Sequence, residues 1–498
     1  TRTFAYDSLG RLTSETHPES GTTAYTYNDN GNVLTKADAR GVVTTHSYDS
    51  LNRMTGRTFS DGTPSSTFSY DETGSSLIGS IANGKGRQTS AWTSDGIGYS
   101  WSYDTSGRAL QQVYRIDGTS YALAYSYTGS GCGCPKADLQ SMTYPGGMQV
   151  NYTRDTIGRI LSIASPSSPM PTTYIQSVSY DSPMGAASNV TYTTTGVDDN
   201  FTYGSYGRIS TIHMTGTFDN DVVWNYTYSN GGRITRISET MRKPSDGRSY
   251  SSTFDYGYDR RGRVTSATRR TDDSYGNWST AWAMAYVYDR YANMLSKQDS
   301  VSGQTTTFSV DQATNRLTTL SYDAGGYVTT DGKSYGYDGM GRLARVNSGQ
   351  LAAYRRDAMG RRVKKTWNYT DMWGAHTGSI FYVYGTGGEI VAEYKNETSF
   401  LKTENSTTLN VIMNGQIAAR RITGTRGTDS INHVEWLRRN HLGEVVVVNA
   451  KNENSPYVTT TMQTYSQPFS SGGSDRDPGQ KEGAETGWKD FGARHYNP

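Results

Sequence analysis

The pattern Tyr-Asp-x-x-Gly-Arg, followed by an aliphatic residue, returns again and again along this chain and constrains it more than any other feature. It is spelled out at Tyr6-Asp7-Ser8-Leu9-Gly10-Arg11-Leu12, Tyr103-Asp104-Thr105-Ser106-Gly107-Arg108, Tyr258-Asp259-Arg260-Arg261-Gly262-Arg263-Val264 and Tyr337-Asp338-Gly339-Met340-Gly341-Arg342-Leu343. Looser copies begin at Tyr27, Tyr48, Tyr152, Tyr203, Tyr228 and Tyr288. A motif recurring at a short period marks a repeat array, in which each unit stacks on its neighbours and builds no core of its own.

One copy reads as a turn between two strands. Asp7 suits the first position of a type I turn, and Gly10 suits the left-handed residue that follows it in a bulged hairpin. Arg2-Thr3-Phe4-Ala5-Tyr6 places aromatics at alternate positions, and residues 11–16 alternate as well. This predicts half-buried strands, with Phe4 and Tyr6 on one face and Thr3 and Ala5 on the other. Tyr6, Tyr27, Tyr48 and Tyr70 stand about 21 residues apart, room for two strands and two turns but not for a crossover helix. Asn52 replaces the glycine in the copy at Tyr48 and tolerates the same conformation. The expected fold class is all-β, a series of antiparallel hairpins.

Composition says what kind of interior such hairpins enclose. Leu, Ile, Val and Phe make up only roughly 15% of the chain, a level that suggests disorder when net charge is high. Here the net charge is +2, and 39 Tyr and 9 Trp supply the missing apolar area. An interior of Tyr, Thr, Ser and Asn is wide and partly wet, unlike a dense sandwich. A long strip of hairpins twists and exposes edges, so it is expected to wind into a spiral and close as a hollow, barrel-like shell. With 48 Lys+Arg against 46 Asp+Glu there is no strong field to draw nucleic acid or an anionic membrane. The repeat arginines occur singly after glycine, which points to pairing with nearby aspartates or carbonyls. No apolar run reaches the roughly 20 residues of a membrane helix, and no signal peptide opens the chain. The first residues already read as strand, so the array is expected to extend upstream.

Irregular stretches interrupt the series. Glycines at 74, 79, 84, 86, 96 and 98 punctuate short strands between Tyr70 and Tyr103. Cys132 and Cys134 sit in Gly129-Ser130-Gly131-Cys132-Gly133-Cys134-Pro135 and lack the further ligands a zinc site needs, leaving a small disulfide ring or two free thiols. No cofactor is expected. Pro166, Pro169 and Pro171 cannot join a central strand and predict a rim insertion. The Asn-x-Ser/Thr triplets at Asn151, Asn225, Asn368 and Asn396 arise readily in so Asn-, Ser- and Thr-rich a chain. The last full copy is Tyr354-Arg355-Arg356-Asp357-Ala358-Met359-Gly360-Arg361, so the array is expected over 1–365 and a different region over 366–498.

That second region carries Asn440-His441-Leu442-Gly443-Glu444, then Pro468-Phe469, Glu485-Thr486-Gly487-Trp488 and Ala493-Arg494-His495-Tyr496-Asn497-Pro498. Serial Tyr-Asp-x-x-Gly-Arg units followed by these segments in this order resemble the RHS/YD-repeat family with its RHS-associated core. The resemblance implies a spiral β-sheet wound into a hollow shell, as in bacterial Rhs toxins, the B/C shell of Tc toxins and teneurin ectodomains. In the toxin members it implies that the core plugs one end and cuts itself from a C-terminal effector held inside; in teneurin-like members the shell is an adhesion surface. The self-cleaving Asp-Pro motifs of the family follow the final Ala-Arg-x-Tyr-x-Pro segment and would lie beyond Pro498. Asp477-Pro478 precedes that segment and receives no catalytic role. Asn440 stands where the family often has Asp, and His441 reads as structural.

Independently of any family, the chain contains no metal-binding helix, nucleophile elbow or phosphate loop, and no pair of acids stands out as a glycosidase would require. The expected function is a non-enzymatic shell of a secreted bacterial polymorphic toxin that encloses a polypeptide, foremost an effector encoded after residue 498. The alternative is a cell-surface protein that binds a surface protein or carbohydrate. The run Val445-Val446-Val447-Val448 predicts burial on both faces and makes 440–498 the expected end plug.

Overall fold

Hairpin follows hairpin because, within each sheet, the strands are hydrogen-bonded in the order of the sequence. The computed structural model describes residues 1–128, 138–166, 172–182, 184–192, 196–216, 221–242, 247–372, 374–399, 402–452 and 458–462, with short strands at 482–483, 488–491 and 494–496. Two compact units are formed, Thr1–Gln149 with Asp311–His433 and Ser474–Pro498, and Val150–Val310 with Val434–Gly473. Among the described residues the only helical segments are two three-residue 3-10 turns, Ser205–Gly207 and Asn347–Gly349. Among the described residues no helix is long and apolar enough to cross a membrane.

In the first unit, antiparallel strands run in sequence order from Thr3–Tyr6 to Leu139–Thr143, and again from Tyr335–Tyr337 to Gln416–Arg426. In the second, an eleven-stranded sheet runs from Ser177–Ser179 to Thr305–Thr307. The ladders are open-ended, their first and last strands not paired with each other, so they do not close as barrels.

Period two governs burial. Along Val222–Tyr228, Val222, Trp224 and Tyr226 are buried while Asn225 and Thr227 are exposed. With Phe254, Trp282, Met284 and Tyr286 they belong to a core cluster of the second unit in which aromatics supply much of the apolar area. A smaller cluster in the first unit joins Tyr335, Leu343, Val346, Ala352 and Tyr354. Burial does not separate the two faces in Thr3–Tyr6, where the alternation predicts it: all four residues are exposed, Phe4 by 50% and Tyr6 by 61%. That strand is the first of its sheet and is paired on one side only, and the Phe4 ring meets the edge of His17 at 5.7 Å between centroids while staying half exposed.

The turns show why Asp and Gly recur. The Asp7 N–H donates to the Arg11 carbonyl and the Gly10 N–H to the Asp7 carbonyl, both at 3.0 Å. Asp7 Oδ1 then accepts from the N–H groups of Leu9 and Arg11 at 3.0 and 2.9 Å, so one carboxylate oxygen holds the whole loop. The register slips beside it, Tyr6 pairing with Leu12 while Ala5 pairs with Ser14, which is the bulge of the hairpin. Closing this loop requires positive φ, +75° at Gly10 and +74° at Gly341. Asn52 meets the same requirement at +61°.

Two expectations follow. A Cβ added at Gly10 would meet nothing within 4 Å, whereas one at Gly341 would collide with the Tyr327 hydroxyl. Gly10→Ala should therefore cost about 1–2 kcal/mol, the left-handed penalty alone. Gly341→Ala should cost clearly more, measured by urea unfolding of the two variants side by side. The second expectation concerns acid. The N–H of the closing arginine, ahead of its guanidinium, holds Asp7, Asp49 and Asp259 below the usual carboxylate range. Carboxylates depressed in the folded state stabilise it above their unfolded value of about 3.9, and that stabilisation is lost as pH falls through the lower folded values. Glu239, pushed up by burial, acts in the opposite sense but stands against several such aspartates. Near-UV circular dichroism should show a plateau above about pH 5 and a steep loss of structure below about pH 4.

Candidate functional site

Because the sequence singles out the repeat turns and the 440–498 segment, those are the places to look for function. In the turns, the arginine does more than close its own loop. Arg11 Nε donates to Asp7 Oδ2 at 2.7 Å and its Nη1 reaches the Asn28 carbonyl in the next copy at 3.1 Å. Its guanidinium also lies 4.9 Å from the centre of the Tyr27 ring. The Tyr27 hydroxyl in turn donates to the Leu12 carbonyl at 2.7 Å. One guanidinium thus ties the turn of its own copy to the backbone and the tyrosine of the next.

The arrangement recurs with small changes. Arg263 Nε pairs with Asp259 Oδ2 at 2.6 Å, its Nη1 donates to the Asp289 carbonyl at 2.9 Å, and it lies 4.8 Å from the Tyr288 ring. Arg108 pairs with Asp104 and lies 4.6 Å from the Tyr127 ring. Tyr258 and Tyr337 donate to the Ile234 and Val328 carbonyls at 2.7 and 2.8 Å. Arg342 pairs with Asp338 at 2.8 Å. Gly107 and Gly262 sit at the same turn position as Gly10, with φ of +84° and +86°. Pairing of arginine with aspartate and carbonyl was legible in the motif; the tyrosine ring as a third partner was not. The choice of tyrosine over phenylalanine signals only the hydroxyl's bond to the preceding copy's carbonyl, which holds the ring where the guanidinium meets its face.

The His-Leu-Gly segment is a turn of the same construction. The Asn440 N–H donates to the Glu444 carbonyl and the Gly443 N–H to the Asn440 carbonyl, both at 3.0 Å. Asn440 Oδ1 accepts from the N–H groups of Leu442 and Glu444 at 2.9 and 3.1 Å, as Asp7 does in the first copy. Gly443 has φ +79° and Leu442 is exposed. Asn-x-x-Gly-Glu keeps the spacing of Asp-x-x-Gly-Arg, which is how it could have been found. His441 is held against Tyr226, Nδ1 3.1 Å from the hydroxyl with the rings edge to face, and burial pushes it down to about 4. Another such turn joins Gly385 and Glu389, whose backbone groups pair at 2.9 Å. Arg494 and Tyr496 lie in the short strand Arg494–Tyr496. Pro468, Phe469, Gly487, Pro498, Cys132 and Cys134 lie outside the described residues. Among the described residues no three His, Cys, Asp or Glu side chains are grouped so as to hold a metal ion.

A fully buried ion pair in the second unit belongs to none of these motifs. Arg438, 1% exposed, donates from Nε to Asp199 Oδ1 at 2.7 Å and from Nη1 to the Thr215 carbonyl at 2.6 Å. The Tyr192 hydroxyl completes the pair by donating to Asp199 Oδ2 at 2.7 Å. Removing one partner of such a pair strands the other in low dielectric. Arg438→Met should cost about 3–5 kcal/mol in urea unfolding, and adding Asp199→Leu should recover a good part of it.

Comparison with known proteins adds the family. The RHS Repeat model matches residues 6–39 and 27–64, and the Teneurin YD-shell model matches residues 173–384. No curated protein matches in sequence. Crystal structures of TcdB2-TccC3-TEV and TcdB2-TccC3 superpose on 100% of this chain with TM-scores of 0.80 and 0.79 at 18% identity. The Photorhabdus luminescens Tc holotoxin pore superposes on 99% of it with a TM-score of 0.79 at 17% identity. This chain spans about a quarter of those chains, 27% of the first two and 26% of the third. The repeat model on the first copies, the YD-shell model over the middle and a shared all-β fold along the whole length identify a chain that carries RHS repeats and has the YD-shell fold.

Proposed function

We propose that this chain is the structural shell of a bacterial polymorphic toxin and that it encloses a polypeptide, foremost an effector continuous with its own C-terminal side. In this reading 1–365 is the repeat array, 366–498 is the closing segment of the shell, and the assembly acts outside the producing cell. The observation that carries the reading is the fold itself. The chain superposes along its full length on structures whose names pair TcdB2 with TccC3, among them TcdB2-TccC3-Cdc42 and TcdB2-TccC3 without its hypervariable C-terminal region. Repeats locked to their neighbours by arginine suit a wall more than a catalyst, and the reading assigns no catalytic step.

A second reading rests on the Teneurin YD-shell match over 173–384, which favours adhesion at a cell surface or binding of carbohydrate. Protease protection separates the two. When the full-length gene product is digested with a nonspecific protease, the container reading expects a segment outside 1–498 to survive with the shell and to become cleavable once the shell is denatured. Digestion of every such segment at the rate of an unstructured peptide, together with saturable binding of the intact protein to a glycan array or to cells, would replace it with the adhesion reading.

A further inference from the structure

A pocket of ≈ 440 Å³ in the first unit holds chemistry that the shell reading does not use. It forms where residues 40–66 and 93–95 meet residues 337–357, and arginine dominates its walls. Several of these arginines are already committed. Arg40 pairs with Asp38 at 2.6 Å, Arg342 with Asp338 at 2.8 Å, and Arg355 with Asp95 at 2.8 Å. Asp357, also on the wall, is taken by Arg361 at 2.8 Å.

Three guanidiniums remain undersupplied. Arg57 gives Nη2 to the Ala358 carbonyl at 2.7 Å, but its Nε is buried without a hydrogen-bond partner. Arg356 gives Nη1 and Nη2 to the Gly360 and Leu343 carbonyls at 3.2 Å; its Nε is buried and unbonded too, with Asp338 Oδ2 at 3.7 Å. Arg345 is exposed and has no ion pair among the described residues. Against these three stands one wall carboxylate outside an ion pair, Asp61, whose Oδ1 accepts from the Thr63 N–H at 3.0 Å. Burial, with the Arg342 charge adding to it, lowers Arg57 and pushes Arg356 down to about 10, so the pull of Asp338, which Arg342 already holds, does not offset it. Buried N–H groups without partners, on cations facing one cavity, call for an acceptor that the chain does not supply.

We propose that this pocket binds a small organic oxyanion, a carboxylate or phosphate group, between Arg57 and Arg356, with Arg345 adding charge. The unused Nε of a guanidinium, beside its Nη, is one prong of the fork that pairs bidentately with planar carboxylate or with phosphate, which a lysine could not imitate. Phe59 lines the same pocket with its ring 5.6 Å from the Arg57 guanidinium and gives the ligand an apolar side. The volume is at the small end of ligand pockets and suits a group of a few to some twenty heavy atoms better than a folded domain. The oxyanion comes either from a free small molecule or from an acidic side chain of a polypeptide. The inference does not depend on the container reading, since the pocket is complete within one unit of the shell.

The test is calorimetric titration of the whole chain, in low-chloride buffer, with inorganic phosphate, with succinate and with a blocked acidic tripeptide. At least one probe should bind saturably below about 10 mM. Arg57→Met, which keeps the apolar stem, should weaken that binding tenfold or more. Arg345→Gln, at an exposed position, should weaken it severalfold with no change in Tm, and it decides the matter if Arg57→Met fails to fold. Arg236→Gln, an exposed arginine of the other unit paired with Asp255, should change nothing. Tighter binding of the tripeptide than of succinate assigns the oxyanion to a polypeptide, and the reverse order assigns it to a free molecule. The proposal is overturned if no probe binds saturably below about 10 mM, or if Arg345→Gln and every folded Arg57 variant bind as the parent does.

Discussion

The joint that links the fullest copies of this structure to one another is the guanidinium at the end of the turn. It is fixed from its own copy by an aspartate and spends its remaining edge and face on the next copy's backbone and tyrosine ring, as Arg11 does with Asp7, Asn28 and Tyr27. A charge-assisted fork is directional, and a cation over an aromatic face fixes the separation of the two groups. Each copy therefore sets the position of its successor, which is how nearest-neighbour contacts can propagate order along a strip.

The copies that depart from the motif show which part is indispensable. Asn28 and Asn32 replace the Asp-Arg pair, yet Asn28 Oδ1 still accepts from the Asn32 N–H at 2.9 Å. Asn293 replaces the arginine of another copy and donates its amide to Asp289 Oδ2 at 2.7 Å. These two variants keep an acceptor aimed at the N–H that closes the loop, and where Gly204 takes the aspartate position the backbone alone closes it, the Gly204 N–H donating to the Arg208 carbonyl at 2.8 Å. The cation is optional copy by copy, so its interactions strengthen an array whose turns already close.

A wall made this way needs little aliphatic core. Tyrosine is amphipathic enough to bury its ring while its hydroxyl finds a carbonyl, as Tyr27, Tyr258 and Tyr337 do. Charge can be buried as well where it is fully paired, and Arg438 with Asp199 and Tyr192 is the extreme case. The pocket between Arg57 and Arg356 differs in that its pairing is incomplete, which makes it a place where a ligand would be felt.

What the sequence determined alone was everything carried by neighbours in the chain. Asp7, Gly10 and Arg11 lie within five residues and their hydrogen bonds close a loop of that length, so the hairpins, the bulge and the all-β class could be read from one copy. The same locality made the turn at Asn440 readable in principle, although the residue types at both ends had changed and the spacing alone remained. The tertiary structure decided what lies across from what. Arg57 donates to the Ala358 carbonyl, Gly339 N–H to Thr63, and Arg438 to Asp199, over separations of 301, 276 and 239 residues. Nothing local encodes such partners: a period-two strand presents the same alternation whatever lies against it, and only the accumulated twist and register of all the strands between them brings two distant arginines to one cavity or an arginine to its one buried aspartate.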